Sequence, residues 1–218
     1  DADVSPDGKQ LAFVSRGELF VTTTKYPTTR QLTHTAAAES SPSFAPDGRS
    51  IVYDSYRDGR YQLYRITMSR KSDPDFANAM TFKEEHIAPS DADRAMPQYS
   101  PDGKEIAFIE NRNRLMVLNI ATGKVRQVTD GTLWMSRRGG FSYAWSPDGK
   151  WFTLSIIGNK RDPYTDVAVV PAQGGTVTNI TQSAYTSSAP RWVMDGNAIL
   201  FANERYGMRN HASWGSEE

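Results

Sequence analysis

The chain has 218 residues, 38% hydrophobic and 23% charged, an ordinary balance for a globular protein with a sizeable core. Its 25 Lys and Arg are matched by 25 Asp and Glu, so it lacks the basic excess with which duplex nucleic-acid binders neutralise phosphates, and no nucleic acid is expected as a partner. The absence of Cys excludes disulfides and thiolate metal sites, and no apolar run is long enough for a membrane-spanning helix, so no membrane insertion is expected.

Taken in order, the chain repeats one pattern. It opens DADVS, without Met and just before a turn, so a preceding segment is expected to have been removed. The turn Ser5–Lys9 leads into the strand LAFVS, the tight turn Arg16-Gly17, the strand ELFVTTT and a last strand RQLTH. The second unit runs PSFAPDG, IVYDS, the turn YRDGR and YQLYRITM, then an insertion, SRKSDPDFANAMTFK, before the strand EEHIA. The third has PQYSPDG, IAFIE, the turn NRNR, LMVLNI and RQVTD. The fourth has YAWSPDG, WFTLS, the loop GNKRDPY, DVAVVPA and TNITQ, and the fifth has PRWVMDG, ILFAN and ERYGMRN.

Each unit is organised by its SPDG-type turn. Proline pre-sets the second position of a type I turn, aspartate hydrogen-bonds nearby backbone N–H groups, and glycine accepts positive φ. Apolar runs flanking such a turn read as a β-hairpin. The turn aspartates Asp7, Asp47, Asp102, Asp148 and Asp195 lie 40, 55, 46 and 47 residues apart, the insertion accounting for the longest gap. A period in the forties with several strands per unit is the pattern of propeller blades. The second strands are apolar almost throughout (LAFV, IAFI), as expected where each sheet is sandwiched between neighbours. No helical periodicity of useful length appears, so helix content should be small.

The predicted fold is therefore all-β: a β-propeller of repeated four-stranded antiparallel blades, present as an incomplete arc of about four to five blades. The blades fall at approximately 1–35, 40–90, 95–130, 141–182 and, in part, 188–218, and the whole of 1–218 is one propeller segment.

The run PSFAPDGRSIVYDSYRDGRYQLYRI resembles the repeat of TolB-like and tricorn-type β-propellers. The closing stretch PRWVMDGNAILFANERYGMRNHASWGSEE, with KEEHIAPSDAD, is most similar to the N-terminal propeller of bacterial tricorn-like serine peptidases. The resemblance implies a closed ring of roughly six or seven blades in the parent, so this chain reads as a fragment whose open blade ends invite self-association. It also implies a non-catalytic module that gates or positions peptide substrates or docks the catalytic part, with downstream catalytic domains of the same chain, or another peptide or protein, as partner. The alternative is a TolB-like envelope scaffold acting by protein–protein interaction with no enzyme activity, and a third reading is the gating propeller of a prolyl-oligopeptidase-like enzyme. The implied location is the periplasm or cell envelope, with the cytoplasm as alternative.

No catalytic, cofactor-binding or metal residue is assigned. The five turn aspartates recur once per unit, which is the behaviour of structural residues. His34 ends a blade where other units carry Asp130 and Gln182, and His86 and His211 stand alone; no GxSxG, Walker or HExxH motif occurs. Ser213 and Ser216 near His211 do not make a triad by sequence proximity. In an up-and-down blade the loops between second and third strands share one end of the ring with the links between blades. That end is expected to collect Arg57, Arg60, Arg112, Arg114, Trp134, Arg137, Arg138, Lys160, Arg161, Arg205 and Arg209, with Asp58, Asp130, Asp162 and Glu204 interspersed. Trp and Arg concentrate binding energy at interfaces. The loop DGTLWMSRRGG, with Trp134, Arg137 and Arg138, is therefore the candidate partner- or peptide-binding element. Phe76 and Phe82 in the insertion are expected to pack it onto its own blade, because large aromatics usually bury locally, the alternative being a cap on the opposite end of the ring.

Overall fold

A run such as Ser100-Pro101-Asp102-Gly103 turns because each residue supplies one piece of the turn. The Ser100 carbonyl accepts the Gly103 N–H at 2.9 Å, and Gly103 takes φ +70°, a conformation that a side chain disfavours. The Asp102 carboxylate accepts the Ser100 hydroxyl at 2.7 Å and the Lys104 N–H at 3.1 Å, while Ser100 Oγ accepts the Glu105 N–H at 2.9 Å. Ser5–Gln10 and Ser146–Trp151 repeat the same set of bonds. In the second copy Ala45 has no hydroxyl, and the turn keeps the bond from Arg49 N–H to Asp47 at 2.9 Å. The fifth copy departs from the others. Met194 stands where the others have proline and takes φ +53°, followed by Asp195 at +54°. A proline ring, locked near −65°, has no access to that geometry.

The computed structural model describes residues 1–133, 141–157, 164–183 and 185–204. Two compact units are present, Asp1–Gln127 and Val128–Glu218. The first holds three four-stranded sheets. Blade 1 is β1 (Ala2–Val4), β2 (Gln10–Ser15), β3 (Glu18–Thr23) and β4 (Thr29–Gln31). Blade 2 is β5 (Ala38–Phe44), β6 (Ser50–Arg57), β7 (Arg60–Met68) and β8 (Phe82–Ile87), and blade 3 is β9 (Arg94–Tyr99), β10 (Glu105–Glu110), β11 (Arg114–Asn119) and β12 (Val125–Gln127). The second unit holds blade 4, formed by β13 (Tyr143–Trp145), β14 (Trp151–Ile156), β15 (Asp166–Pro171) and β16 (Thr178–Asn179). It also holds two strands of blade 5, β17 (Ser187–Val193) and β18 (Ala198–Asn203).

Every pairing is antiparallel between consecutive strands, the up-and-down order read from the sequence. Among the described residues there is no α-helix. The β2–β3 and β6–β7 hairpins close through Arg16-Gly17 and Asp58-Gly59, all four residues at positive φ, the twist that suits a two-residue hairpin. The result is an all-β chain of propeller blades, four complete and one partial among the described residues.

The apolar second strands of blades 2, 3 and 4 are buried on both faces, as their sequence implies, whereas in blade 1 only Ala12 of LAFV is buried and in β18 Leu200 and Phe201 are exposed. Ile51, Val52 and Tyr53 in β6, and Ile106, Ala107 and Phe108 in β10, are all fully buried. One core cluster joins Ala12, Leu19 and Val21 of blade 1 to Ile51, Tyr53 and Ile66 of blade 2, and another joins Val52 and Leu63 of blade 2 to Ile106 and Phe108 of blade 3. The first strands carry a feature that the repeat reading did not include. β5, β9 and β17 each hold a bulge, with Ser41, Met96 and Ala189 at φ +52°, +57° and +50°, each followed by proline. Proline has no N–H to give to a ladder, so a bulge is where a strand tolerates it.

The insertion does more than pack onto its own blade. Phe76 is fully buried, edge-on to Phe44 at 6.0 Å and stacked on Phe82 at 5.6 Å, within the cluster shared by blades 1 and 2. Its N–H donates to Gln10 Oε1 of blade 1 at 2.8 Å. Arg30 of blade 1 donates to the Ala79 carbonyl and lies over the Phe82 ring at 4.5 Å. The insertion is therefore a tie between two blades.

Candidate interaction surfaces

The basic end anticipated for the hairpins is, in blade 2, a charge-balanced network. Arg57 ends β6, and its guanidinium meets Glu84 of β8 through Nη2 at 2.8 Å and Nη1 at 3.3 Å. Nε donates to Ser55 Oγ at 2.9 Å, and Nη2 also reaches Glu39 at 3.4 Å. The guanidinium lies 3.8 Å over the Tyr64 ring, which stacks on His86 at 4.8 Å on its β8 side. Burial works against the Arg57 charge, but the hydrogen bonds and charge of Glu84 outweigh it and hold the group above the ordinary arginine range. Burial likewise pushes Glu84 up, and Arg57 and Tyr53 together bring it below the usual glutamate value. Tyr53 donates to Glu84; its own burial first, then that carboxylate, raise the phenol. His86 keeps much of its ring in solvent, but the covering of its Tyr64 face first, and then the Arg57 charge, lower its pKa. Glu39, whose side chain is fully buried, accepts the Thr35 hydroxyl on Oε1 at 2.7 Å, and among the described residues Oε2 receives no donor.

Arg60 is also paired, with Asp91 at 2.8 Å. The link Asp91-Ala92-Asp93 grips this hairpin further. Asp93 accepts the Tyr61 N–H at 2.9 Å, and the buried Gln62 amide donates to the Ala92 carbonyl at 2.8 Å. The charges of Arg57 and Arg60 thus hold the blade 2 hairpin to its own strand and link. Of the other candidates, Trp134, Arg137 and Arg138, with Lys160, Arg161, Asp162, Arg205 and Arg209, lie outside the described residues. So do His211, Ser213 and Ser216.

The turn aspartates Asp7, Asp47, Asp102 and Asp148 hold their turns, their carboxylates accepting hydrogen bonds from the turn itself. The Ser5 hydroxyl and the Lys9 N–H lower Asp7, and the Ser100 and Ser146 hydroxyls, followed by the lysine N–H groups, do the same for Asp102 and Asp148. His34 is exposed at the end of blade 1. Among the described residues no group of three or more His, Cys, Asp or Glu is placed to hold a metal ion.

Two arrangements were not anticipated. An acid at the start of the third strand clamps a threonine just past the fourth. Glu18 accepts the Thr33 hydroxyl at 2.6 Å and the Thr35 N–H at 3.0 Å; in blade 4, Asp166 accepts the Thr181 hydroxyl at 2.8 Å and the Ser183 N–H at 2.9 Å. The recurring LTH and ITQ runs were the available signal. The second arrangement is a cleft in the second unit between the turns of blades 4 and 5, walled by Trp151 and Trp192. Its signal was Trp151, at a position that other blades fill with Gln10, Ser50 and Glu105.

Four-stranded blades, each organised by an Asp-Gly turn, with the second strands of blades 2 to 4 buried on both faces, define a β-propeller. The family follows from the comparison with known proteins: residues 2–136 match the TolB beta propeller domain, and the chain belongs to that family. A dipeptidyl-peptidase 5 of Porphyromonas gingivalis is 34% identical over 149 residues, which is 60% of this chain and 21% of that protein. The match thus spans about a fifth of that relative's length. Among solved structures, a putative TolB from Agrobacterium tumefaciens superposes with TM-score 0.67 at 18% identity, covering 92% of this chain and 78% of that one. The tricorn protease superposes with TM-score 0.65 at 16% identity, covering 94% of this chain and 19% of that one. These two structural likenesses establish the fold.

Proposed function

We propose that this chain is a non-catalytic propeller module of a tricorn-like serine peptidase, where it gates or positions peptide substrates or docks the catalytic part. The observation that carries the reading is the 34% identity to a dipeptidyl-peptidase, confined to about a fifth of that protein. Such a match is what a propeller appended to a separate catalytic domain produces. In this reading the partner surface is the loop after blade 3, with Trp134, Arg137 and Arg138 as contacts for a peptide carboxylate or for the catalytic domain. The module, so read, works in the cell envelope, with the cytoplasm as the alternative.

The test is made on the parent protein. Its peptidase activity and its labelling by a serine-directed probe are compared with those of a form lacking this segment. Altered substrate selection with an unchanged rate of labelling supports the module. A parent that ends soon after this segment and cleaves nothing overturns it. That outcome favours the second reading, a TolB-like envelope scaffold, which draws on the family itself. Replacing Trp134, Arg137 and Arg138 by Ala tests the loop: unchanged affinity for peptide and catalytic domain removes it from the proposal.

A further inference from the structure

We propose that the cleft between Trp151 and Trp192 in the second unit is a binding site for an arginine side chain of a peptide or protein. The cleft has a volume of about 420 Å³, inside the range of about 300–1,000 Å³ typical of ligand sites. Trp151 opens β14 and is 42% exposed, a large apolar surface at a position that is polar in the other complete blades. Trp192, on β17, is fixed by its indole N–H, which donates to the Ala144 carbonyl at 3.3 Å. The floor is tight: the Pro147 ring lies 3.3 Å from where a Cβ on Gly196 would stand. The cleft is thus walled by two indoles, one of them pinned.

Its charge selects the ligand. Asp148 and Asp195 line it, and among the described residues no Lys, Arg or His does. Asp148 Oδ1 is used by the Ser146 hydroxyl at 2.6 Å and the Lys150 N–H at 3.1 Å, which aim the carboxylate. Oδ2 faces the exposed Lys150 ammonium, at 3.6 Å, a contact that a better partner displaces at little cost. A guanidinium satisfies both features at once. It stacks its flat face on tryptophan and presents a fork of N–H donors to carboxylates, which an ammonium does less well. The same two carboxylates disfavour an anionic ligand. None of these residues belongs to the loop proposed above as the partner surface, so this inference stands or falls separately.

The probe is acetyl-Gly-Arg-Gly-amide, titrated into the 218-residue chain and followed by the NMR signals of the tryptophan indole N–H groups and by calorimetry. The expected result is a shift of the Trp151 and Trp192 signals that saturates, with affinity falling as salt rises from about 50 to about 500 mM. Trp151→Ala should weaken binding at least about fivefold. Asp195→Asn should do the same and keeps its turn, because asparagine tolerates the φ of +54° found there. Circular dichroism checks that both variants fold. The peptide with citrulline, neutral and nearly isosteric with arginine, should bind at least about tenfold more weakly. Equal binding of the citrulline peptide overturns the proposal, as do an unaffected Trp151→Ala variant, absence of binding, or saturation of the same indole signals by a neutral oligosaccharide instead.

Discussion

Arg94 lies directly opposite Glu110 in blade 3, and its Nε and Nη2 donate to the same carboxylate oxygen at 3.0 and 2.8 Å. Both side chains are about nine-tenths buried, and the guanidinium also donates to the Ala88 carbonyl and lies 5.1 Å over the Phe108 ring. A buried pair of this kind contributes little net of desolvation, but removing one partner strands the other charge. Arg94→Ala should therefore cost about 3 kcal/mol or more, whereas Arg94→Met combined with Glu110→Leu should fall within about 1–2 kcal/mol of the parent. Urea denaturation of the two variants and the parent decides it. A single variant as stable as the double one sinks the argument.

The contact between successive turns gives a second prediction. The Pro46 ring stands 3.4 Å from the place of a Cβ on Gly103, while a Cβ on Gly8 meets nothing within 4 Å. Both glycines have φ +70°. Gly8→Ala should thus show only the backbone penalty, about 1 kcal/mol, and Gly103→Ala that penalty plus the displacement of a proline ring. The difference between the two midpoints in denaturant reads out how tightly blade 2 presses on blade 3 at this end. Equal losses would mean the ring yields freely.

The turn acids predict a pH dependence. In the folded chain the Ser100 hydroxyl, then the Lys104 N–H, hold Asp102 below its ordinary value. A folded pKa below the unfolded one means that the stability it contributes is fully present above the unfolded value, about 3.9, and is lost as pH falls through the folded value. Ser100→Ala should return Asp102 towards the ordinary aspartate range and narrow the acid-side loss. Carbon NMR titration of the Asp102 carboxyl in both forms measures this, and an unmoved titration would refute the role of the hydroxyl.

What the sequence made readable was local. The SPDG turns, the Asp-Gly hairpins and the doubly buried strands of blades 2 to 4 each depend on residues within a few positions, so IAFI announced its burial unaided, whereas in the equally apolar LAFV only Ala12 is buried. Relations between blades were not readable. Gln10 and Phe76 lie 66 positions apart, and nothing in either neighbourhood signals that one accepts the other's N–H. Arg57 looked like a rim cation because its partner Glu84 sits beyond the insertion, 27 positions on. Glu39 and Arg94 occupy the same register position in blades 2 and 3, opposite Ser55 and Glu110, yet their unlike side chains concealed the equivalence. Trp151 was visible as a break in the repeat, but its partner Trp192 belongs to another turn, and only folding makes the two one cleft.

Phe76 tests whether the insertion is an ornament or a tie. It is fully buried against Phe44 and Phe82, in the cluster that also holds Ala12 and Leu19 of blade 1. Truncation to alanine removes the ring from a packed core and leaves a cavity, so Phe76→Ala should cost about 3–5 kcal/mol. Arg30→Ala, which frees the Ala79 carbonyl and uncovers the half-exposed edge of Phe82, should cost less, about 1–2 kcal/mol. Hydrogen exchange adds the location. If the insertion ties the blades, Phe76→Ala accelerates exchange in β2 and β3 of blade 1 as well as in β6 and β7 of blade 2. Acceleration confined to the insertion and β8 would show that it packs on its own blade alone.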